Sequence, residues 1–520
     1  MDFFSNNIAD LLVHQAERQG RSAAVYFPEG RDSFGRVSYT HLTFQQLNEL
    51  SDYYAWGLHN IGVKAKHKTL LMIRPSLEFY ALFFALFKLG AIPVLIDPGM
   101  GWKNFLETVQ EMAPDVFLGI PAAQLLRLFK RKSFSSVKIN ITLGKFRLWS
   151  GWTINELPGK HLPFASYQPE PDDLAAIMFT SGSTGPAKGV SYTQAMFNAQ
   201  VALIKREYNI KPGELDLACF PLFSLFSIAL GAGIIIPDMD PSKPAEVKPK
   251  HIIEALQNFP VTYSFASPAL WGKMAEYASK RKLRFPGLKK VIMAGAPVPA
   301  IVHERLLKEI LDQDAETYTP YGATESLPIA NFTGSEMLAE TKDNTAAGKG
   351  TCVGKPIAEI EAKIISISDE LIADMSEAQE LAVGEIGELC VSGPCVSKEY
   401  YNKAEATALA KIYDGEKVWH RVGDTGYFDE KGRFWFCGRK SHRVIIKSKG
   451  KEKTLFSLPS EAVFNQLPGV KRSALIGIER DGEVVAAIVI EKEKDSKISE
   501  KEIMKVAAEN ELTAEIKMVF

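Results

Sequence analysis

The sequence has little cysteine and no excess of either charge. Its 520 residues include five Cys, 61 Lys or Arg and 62 Asp or Glu, for a net charge of −1. A balance this even gives no electrostatic reason to expect nucleic-acid binding. Cys390 and Cys395 are close in sequence, but no second pair or nearby His completes a zinc site. We therefore expect buried thiols in a reducing compartment.

The sequence pattern also gives no indication of a targeting segment or a membrane span. The N-terminus, MDFFSNNIADLL, has no basic stretch before an apolar core, which argues against a signal peptide. The most apolar run, residues 79–96, contains Lys88, Gly90 and Pro93, so it predicts a buried helix followed by a strand rather than a transmembrane segment. There is no internal repeat or low-complexity tract. These features favour a cytoplasmic protein.

The N-terminal half alternates strand and helix patterns. Thr43 with Gln46 forms a capping-box pattern at the start of an amphipathic helix. A strand at 69–73, a helix at 76–89 and a strand at 92–96 make one βαβ unit. The chain is long enough for two to four domains, and this spacing predicts an α/β fold with mostly parallel sheets.

The loop 180–189, TSGSTGPAKG, follows an apolar run that predicts a buried strand, LAAIMF. Its glycines, hydroxyls and single lysine, Lys188, suit the binding of phosphate oxygens by backbone N–H groups, hydroxyls and an ammonium. It is not a Walker A loop, because Lys188 lies between Ala187 and Gly189. The alternative is a polar linker, although linkers are seldom so rich in phosphate-binding groups directly after a strand.

Two later regions differ in pattern from this first part. Residues 219–237, CFPLFSLFSIALGAGIIIP, are almost wholly apolar and suit either a buried helix and strand or the lining of a substrate pocket. From about Gly354, short glycine-containing strands predict antiparallel β structure, which we expect to form a small barrel.

The last part of the chain predicts a small α+β module. A basic stretch after Arg439, KSHRVIIKSKGKEK, has the composition of a linker. Strands are expected at 473–478 and 483–490, and Ser499 with Glu502 forms a second capping box. The apolar ending at Phe520 suggests that a tail is missing.

Four short motifs could carry chemistry, although each also has a structural explanation. Gly295-Ala296-Pro297 ends a predicted strand, where α/β proteins often bind ligands. In residues 321–325, YGATE, the Tyr could stack on a base and the Thr and Glu offer the oxygen ligands that Mg²⁺ prefers, but a turn before a helix explains them nearly as well. In residues 423–426, GDTG, the Asp could accept ribose hydroxyls or form an Asx turn. Arg439 could clamp a nucleotide or satisfy carbonyl groups.

Taken together, TSGSTGPAKG, AGAP, YGATE, GDTG and GR occur in the order and at the intervals of a known family. The chain resembles the adenylate-forming superfamily, which includes acyl-CoA synthetases, peptide-synthetase adenylation domains and luciferases. The resemblance covers essentially the whole chain. It implies two α/β sheet subdomains plus the small β-barrel in residues 1–439, and a small mobile α+β domain in residues 440–520.

The resemblance also implies ATP and Mg²⁺ as cofactors and assigns the site. The ATP phosphates would be held by Thr180, Ser181, Gly182, Ser183, Thr184, Gly185 and Lys188. The adenine would contact Gly295, Ala296, Pro297, Tyr321 and Gly322. The α-phosphate, Mg²⁺ and the ribose would be contacted by Thr324, Glu325 and Asp424, in that order, with Arg439 nearby. The catalytic set would be Lys188, Thr324 and Glu325, and the domain pivot Lys440 or Ser441.

Several positions depart from the pattern of acyl-CoA synthetases. Ser224 and Gln194 stand where those enzymes usually have His. The superfamily's C-terminal catalytic lysine has no match before Phe520, which again suggests a truncated sequence. Catalysis in this superfamily would rest mainly on positioning and charge neutralisation.

The departures are similar to those of the β-lactone synthetases of bacterial long-chain olefin biosynthesis. The matching segments are IDPGMGWKN, FPLFSLF and GRFWFCGRKSHRV. The resemblance implies a long-chain 2-alkyl-3-hydroxy acid as substrate, with Phe223, Ser224 and Phe226 in its pocket. The alternatives are a fatty acid–CoA ligase, an enzyme that loads a carrier protein, and a homologue without activity. Association with other enzymes of lipid metabolism is compatible with such a substrate, but no sequence feature indicates it.

Overall fold

The first βαβ unit of the computed structural model shows how the N-terminal part is built. The structure describes residues 6–144, 147–180, 187–448 and 450–520. Strands Lys68–Met72 and Ile92–Leu95 pair in parallel and are connected by the helix Leu77–Leu89. Ser76 caps this helix by accepting a hydrogen bond from the Phe79 N–H, and Gly90, at φ 71°, ends it. The predicted βαβ unit is confirmed.

This unit belongs to the first of two seven-stranded sheets. Neighbouring strands of the first sheet are parallel except for the last pair, which is antiparallel. In spatial order the strands are Trp152–Thr153, Ile139–Thr142, Val116–Gly119, Lys68–Met72, Ile92–Leu95, Leu174–Thr180 and Lys188–Thr193.

The second sheet repeats this plan, with six parallel strands and one antiparallel edge strand. In spatial order its strands are Glu316–Tyr318, Lys290–Met293, Tyr263–Ala266, Leu215–Ala218, Gly233–Ile235, Ala23–Arg31 and Val37–Thr43. Parallel sheets need helices on their faces, because crossover connections run there. The α-helices up to residue 305 are Ile8–Gln19, Phe44–Asn60, Leu77–Leu89, Trp102–Met112, Pro121–Phe129, Gln194–Tyr208, Ser224–Ala229, Pro249–Asn258, Pro268–Lys280 and Ala300–Arg305.

The capping-box prediction at Thr43 and Gln46 is confirmed, since both reciprocal hydrogen bonds are present. The helix that it begins, Phe44–Asn60, packs against the almost fully buried helix Leu77–Leu89. The buried Lys88 ammonium lies 2.5 Å from the Asp52 carboxylate and 2.7 Å from the Asn48 amide oxygen. No helix in the described ranges is long and apolar enough to cross a membrane.

The third sheet, residues 351–439, corrects one prediction. Its strands are antiparallel as expected, in the order Thr351–Cys352, Phe434–Arg439, Lys417–Phe428, Gly387–Ser392 and Glu361–Ile365, with Lys411–Asp414 paired beside Lys417–Phe428. The two outermost strands do not pair with each other within the described residues, so the sheet is open. The small β-barrel is therefore wrong, because a barrel requires its edges to meet. A smaller antiparallel sheet consists of Tyr321–Ala323, Ser326–Asn331 and Lys355–Pro356.

The residues after 443 form two small sheets, one of two strands and one of three, with a hydrophobic core of their own. The stretch that we interpreted as a linker is instead a pair of antiparallel strands, Val444–Ser448 and Lys451–Leu455. Two longer strands, Val470–Arg480 and Glu483–Lys492, lie close to the predicted positions. Helix Glu500–Glu509 starts after the Ser499 cap, which confirms the second capping box. The remaining elements are helix Ser457–Asn465 and strand Met518–Val519.

We predict that the Asp52 carboxylate is needed to keep Lys88 in the core. Asp52→Ala should lower the free energy of unfolding by about 3–5 kcal/mol, because it leaves a buried ammonium without its counter-charge. Removing both charges, in Lys88→Met with Asp52→Leu, should cost much less. Urea unfolding measures both variants, and equal losses in the single and double variants would contradict the prediction.

Candidate active site

A single cavity of about 1400 Å³ lies where strands of the two large sheets end. Leu71 and Met72 reach it from the first sheet, and Phe265, Ala294 and Gly295 from the second. These positions lie at or just beyond the carboxyl ends of parallel strands, which is where α/β sheets usually bind ligands. The topology therefore brings residues that are distant in sequence to one site.

One end of this cavity is polar and contains several of the predicted residues. The polar residues that line it include Lys188, Thr324, Glu325 and Arg439, together with Tyr400. Lys188 begins the antiparallel edge strand of the first sheet and pairs in register with Thr180. Ser181, Gly182, Ser183, Thr184 and Gly185 lie outside the described residues. The structure thus describes both ends of the predicted phosphate loop.

Tyr400 connects Glu325 to Lys188. Its hydroxyl donates a 2.6 Å hydrogen bond to the Glu325 carboxylate, and the Lys188 ammonium lies 5.0 Å from the centre of its ring. The backbone repeats this connection, since the Ser397 N–H donates to the Glu325 carbonyl and the Tyr401 N–H to the Gly189 carbonyl, both at 2.7 Å. Segment 397–401 thereby fixes the positions of two groups that come from different sheets.

The sequence analysis missed Tyr400, and its local sequence explains why. It is one of two adjacent tyrosines in the stretch SKEYYN, which has no periodicity or turn signature. Its contacts with Lys188 and Glu325 join residues that are 212 and 75 positions away along the chain. Only the folded structure identifies it.

Lys411 lies behind Tyr400 and is fully buried. Its ammonium donates to the Ser397 carbonyl and, at 3.0 Å, to the Ser397 hydroxyl. Burial lowers the pKa of Lys411 to about 7, although the nearby Glu325 carboxylate acts in the opposite direction. His420 pairs with Lys411 across the strands, and burial followed by repulsion from Lys411 places the His420 pKa well below its ordinary value.

Asp424 belongs to the long strand Lys417–Phe428 and is buried. Its carboxylate contacts Tyr321 and Arg439. The Tyr321 hydroxyl donates to one carboxylate oxygen, Oδ2. The Arg439 guanidinium lies 2.9 Å from the other oxygen, Oδ1, and forms an ion pair with it. Burial raises the pKa of Asp424, while Arg439 and Tyr321 oppose that rise. Each carboxylate oxygen has a second lone pair, so Asp424 can still accept hydrogen bonds from the hydroxyl groups of a ligand.

Only some of the residues predicted to contact adenine line the cavity. Gly295 lines the cavity in a left-handed conformation, φ 95°, and Gly322 lines it as well. Ala296 and Pro297 are exposed and are not among the residues that line the cavity. The Tyr321 ring packs near Phe434 and Phe436 of the third sheet, with centroid distances of 5.6 and 6.1 Å. Tyr321 is not among the residues that line the cavity.

The other end of the cavity is apolar. Phe223 and Phe226 line it, and Phe223 stacks on Phe265 at 4.3 Å between ring centres. The other phenylalanines that line the cavity are Phe79, Phe83, Phe84, Phe87, Phe179, Phe197 and Phe220. The prediction of a buried helix and strand in stretch 219–237 is confirmed, because it forms the helix Ser224–Ala229 and the strand Gly233–Ile235. Several side chains of this stretch also line the cavity.

Ser224 differs from its aromatic neighbours. It is fully buried behind the cavity wall, where its hydroxyl accepts a 3.3 Å hydrogen bond from Tyr80 and donates a 3.4 Å bond to the Phe220 carbonyl. Gln194, the other position where the resemblance expected His, is also buried. Ser224 thus stabilises the cavity wall through its hydrogen bonds, while Phe223 and Phe226 line the cavity itself.

Lys440 and Ser441 border the polar end of the cavity in the short helix Lys440–His442. The Lys440 ammonium lies 3.2 Å from the buried Glu388 carboxylate and donates to the Ser368 carbonyl at 2.8 Å. These contacts tie the predicted pivot to the third sheet.

The polar end fits a magnesium ion that is held together with phosphate. Within the described ranges no three His, Cys, Asp or Glu side chains converge on one point. Mg²⁺ is usually bound through one or two carboxylates and the substrate's phosphates, so such a cluster is not required. The Glu325 carboxylate, beside Thr324 at the cavity wall, supplies the kind of ligand needed. The five cysteines are all buried and unpaired, as expected.

We predict a pH-dependent contribution of Lys411 to stability. Its pKa is about 7 in the folded protein against an ordinary value of 10.5, so between these values the unfolded chain binds a proton that the folded protein lacks. The free energy of unfolding therefore rises with pH through this window. Relative to Lys411→Met, the wild type should gain about 3 kcal/mol between about pH 7 and pH 9.5.

Urea unfolding of both proteins across this range measures the difference. Lys417→Met, in the neighbouring strand, is the matched control, because Lys417 is exposed and pairs with Glu361 at 2.8 Å. A difference between wild type and Lys411→Met that stays constant with pH would contradict the assignment.

Comparison with known proteins gives a consistent result. The family described as AMP-binding enzyme matches residues 12–401. An olefin beta-lactone synthetase from Stenotrophomonas maltophilia is 42% identical over 495 residues, covering 93% of this chain and 88% of that protein. One from Xanthomonas campestris pv. campestris is 40% identical over 493 residues, covering 93% and 87%.

A solved structure extends the likeness to the fold. The crystal structure of ATP-bound MatB from Rhodopseudomonas palustris superimposes with a TM-score of 0.78, covering 99% of this chain and 95% of that one, at 18% identity. The chain therefore has the fold of that ATP-binding protein, as the sequence motifs implied.

Proposed function

The chain belongs to the AMP-binding enzyme family, and from this premise we propose that it activates a long-chain 2-alkyl-3-hydroxy acid and closes it to a β-lactone. The observation that carries the proposal is the shared cavity, in which Lys188, Thr324 and Glu325 lie at one end and a wall of phenylalanines at the other. An acid with a polar head and apolar chains matches both ends. The similarity to two olefin beta-lactone synthetases supports the second step.

The first step is adenylation. A carboxylate oxygen of the acid attacks the α-phosphorus of ATP, a new C–O–P linkage forms, and the bond to the β-phosphate breaks to release pyrophosphate. In this proposal the 180–185 loop and Lys188 hold the triphosphate, and Thr324 contacts the α-phosphate. Asp424 accepts the ribose hydroxyls, and Gly295, Gly322 and Tyr321 border the adenine. Catalysis rests on positioning and on neutralising phosphate charge.

Glu325 is the residue proposed to hold Mg²⁺. When bound, the ion supplies positive charge at the phosphate oxygens. The chain's own contribution is to orient the carboxylate, which Tyr400 does through its 2.6 Å hydrogen bond. The Ser397 N–H fixes the backbone of the same residue.

The second step needs no further substrate. The oxygen of the substrate's 3-hydroxyl attacks the acyl carbon, the bond to AMP breaks, and the hydroxyl proton leaves to solvent or to the departing phosphate. Because attacking and leaving groups belong to one molecule, the requirement is orientation of a bound chain rather than entry of a thiol. The wall formed by Phe223, Phe226 and Phe265 provides the surface against which the chains can be held.

The domain arrangement is part of the same proposal. Residues 1–439 form the adenylation domain and residues 440–520 a small second domain, with Lys440 or Ser441 as the pivot. This is supported by the separate hydrophobic core after residue 443 and by the position of Lys440 at the cavity.

The test of the proposed product compares reactions with and without coenzyme A. The protein is incubated with ATP, Mg²⁺ and a long-chain 2-alkyl-3-hydroxy acid, and AMP and the organic product are measured. We expect AMP and β-lactone without coenzyme A. Product that forms only when coenzyme A is added would instead show a fatty acid–CoA ligase, and product that requires a carrier protein would show a loading enzyme.

Two substitutions test the polar end. Glu325→Gln should abolish AMP formation, since it removes the charge proposed to hold the metal. Tyr400→Phe keeps the ring beside Lys188 but removes the hydrogen bond to Glu325. It should lower AMP formation by about 10–100-fold and raise the Mg²⁺ concentration needed for half-maximal rate.

Tyr401→Phe is the matched control for Tyr400→Phe, because it removes a hydroxyl from the adjacent residue and should leave the Mg²⁺ dependence unchanged. Near-normal turnover of Glu325→Gln would rule out its metal role. An unchanged Mg²⁺ dependence in Tyr400→Phe would rule out the orienting role of that hydrogen bond.

A further inference from the structure

The helix Pro121–Phe129 separates the apolar cavity from the protein surface. On one side Ala123 and Leu126 line the cavity. On the other side Leu125 and Phe129, four residues apart and therefore on one face, are 45% and 82% exposed. A phenylalanine with most of its surface in water is unusual for a side chain so close to an available core. The helix therefore has two apolar faces, and the one that carries Leu125 and Phe129 is not covered by any part of the chain that the structure describes.

The cavity opens beside this helix. Ala122 lines the cavity and is also exposed, and so is Trp102, whose side chain is 58% exposed. Trp102 begins the helix Trp102–Met112, which follows the first-sheet strand Ile92–Leu95 in the chain. An aromatic side chain that is partly in the cavity and partly in solvent marks a place where the cavity reaches the surface.

The surrounding sequence is strongly basic. Residues 116–155 contain no Asp or Glu, although 62 of the 520 residues are acidic. The cations of this stretch are Arg127, Lys130, Arg131, Lys132, Lys138, Lys145 and Arg147. The whole chain has a net charge of −1, so this positive charge is local.

Three of these cations directly follow the exposed helix face. Lys130, Arg131 and Lys132 are exposed, and none forms an ion pair with any residue in the part of the chain that the structure describes. Arg131 also adds to the burial that lowers the pKa of Arg127, because the two guanidinium groups repel each other. Two other cations of the stretch are paired, Lys138 with Asp115 and Arg147 with Glu156. Three unpaired cations at the end of an exposed apolar face complement a surface that is both anionic and apolar.

We propose that the helix Pro121–Phe129 and the cations 130–132 dock on an anionic lipid bilayer, so that a lipid-like acid passes from the membrane surface into the cavity. Phe129 and Leu125 enter the boundary between headgroups and acyl chains, and Lys130, Arg131 and Lys132 contact lipid phosphates. This combination of an apolar helix face and adjacent cations is the physical requirement for binding at a membrane surface. The functional part rests on the proposed function, while the docking itself does not.

Vesicle binding of the full chain tests the docking directly. Co-sedimentation is measured with vesicles of phosphatidylcholine alone and of phosphatidylcholine mixed with phosphatidylglycerol. We expect binding to the mixed vesicles that weakens as salt is added. Leu125→Ser with Phe129→Ser should weaken it by about tenfold or more. Lys130→Glu, Arg131→Glu and Lys132→Glu together should weaken it by about 100-fold and remove most of the salt dependence.

Phe34→Ser is the matched control. Phe34 is as exposed as Phe129, at 82%, and it too lies beside a cation, since the Arg36 guanidinium is 5.1 Å from its ring. It belongs to the connection between strands Ala23–Arg31 and Val37–Thr43 and does not line the cavity. Phe34→Ser should bind vesicles like the wild type. Equal weakening by Phe34→Ser would overturn the proposal, as would wild-type protein that does not bind anionic vesicles, the result expected if the face docks on another protein.

A second measurement separates this inference from the proposed function. AMP formation is compared for a long-chain acid supplied within vesicles and for a short-chain 3-hydroxy acid dissolved in buffer. The Leu125→Ser/Phe129→Ser variant should lose rate only with the vesicle-borne acid. Equal loss with both acids would overturn the delivery role. If wild type formed no AMP with either acid, the proposed function would fail while the vesicle result stood.

Discussion

The parallel direction of the strands in both large sheets is the constraint on which the site depends. Six strands of each sheet run the same way, so their carboxyl ends, and the loops that follow them, lie at one edge. The strands Leu174–Thr180 and Lys290–Met293 are more than a hundred residues apart in the chain, yet Phe179 and Ala294, near their carboxyl ends, line one cavity. An antiparallel arrangement would place alternate loops at opposite edges. The fold thus brings polar groups from distant parts of the sequence to the edge where the strands end. No short stretch of sequence specifies this by itself.

The strand ends place Lys188 and Glu325 near each other but do not fix their side chains. Segment 397–401 does so through hydrogen bonds to both sides. It bonds to the backbone of the Lys188 strand on one side and to Glu325 on the other, through the Tyr401 N–H, the Ser397 N–H and the Tyr400 hydroxyl. Lys411 holds this segment from behind. Burying Lys411 and His420 there costs free energy in their charged forms, which explains the low pKa of each. Burial of these two side chains therefore disfavours their charged forms directly behind the segment that positions Lys188 and Glu325.

The cavity combines two chemistries that the sequence keeps apart. The phosphate-loop lysine and Glu325 belong to polar, glycine-rich stretches, whereas Phe223 and Phe226 belong to one of the most apolar segments of the chain. Their meeting in one space of about 1400 Å³ is the basis for proposing that ATP and a long-chain acid bind side by side. The unpartnered face of the 121–129 helix extends the same apolar character to the surface. A water-insoluble substrate requires such continuity, because each exposed CH₂ group on its route costs free energy.

Local patterns determined much of this protein. The βαβ unit and both capping boxes follow from the spacing of apolar and capping residues, which act within a few positions of one another. The motif set also indicated ATP chemistry before any contact was known. The tertiary structure decided what depends on distant partners. The edge strands of the third sheet do not pair with each other among the described residues, so that sheet is open. Strand Val444–Ser448 forms by pairing with Lys451–Leu455. Ser224 lies behind the cavity wall, where Tyr80 donates a hydrogen bond to it. The position of Tyr400 is also decided by the tertiary structure. Its partner Lys188 lies more than two hundred residues away, so the packing of whole sheets brings them together, not the neighbouring sequence.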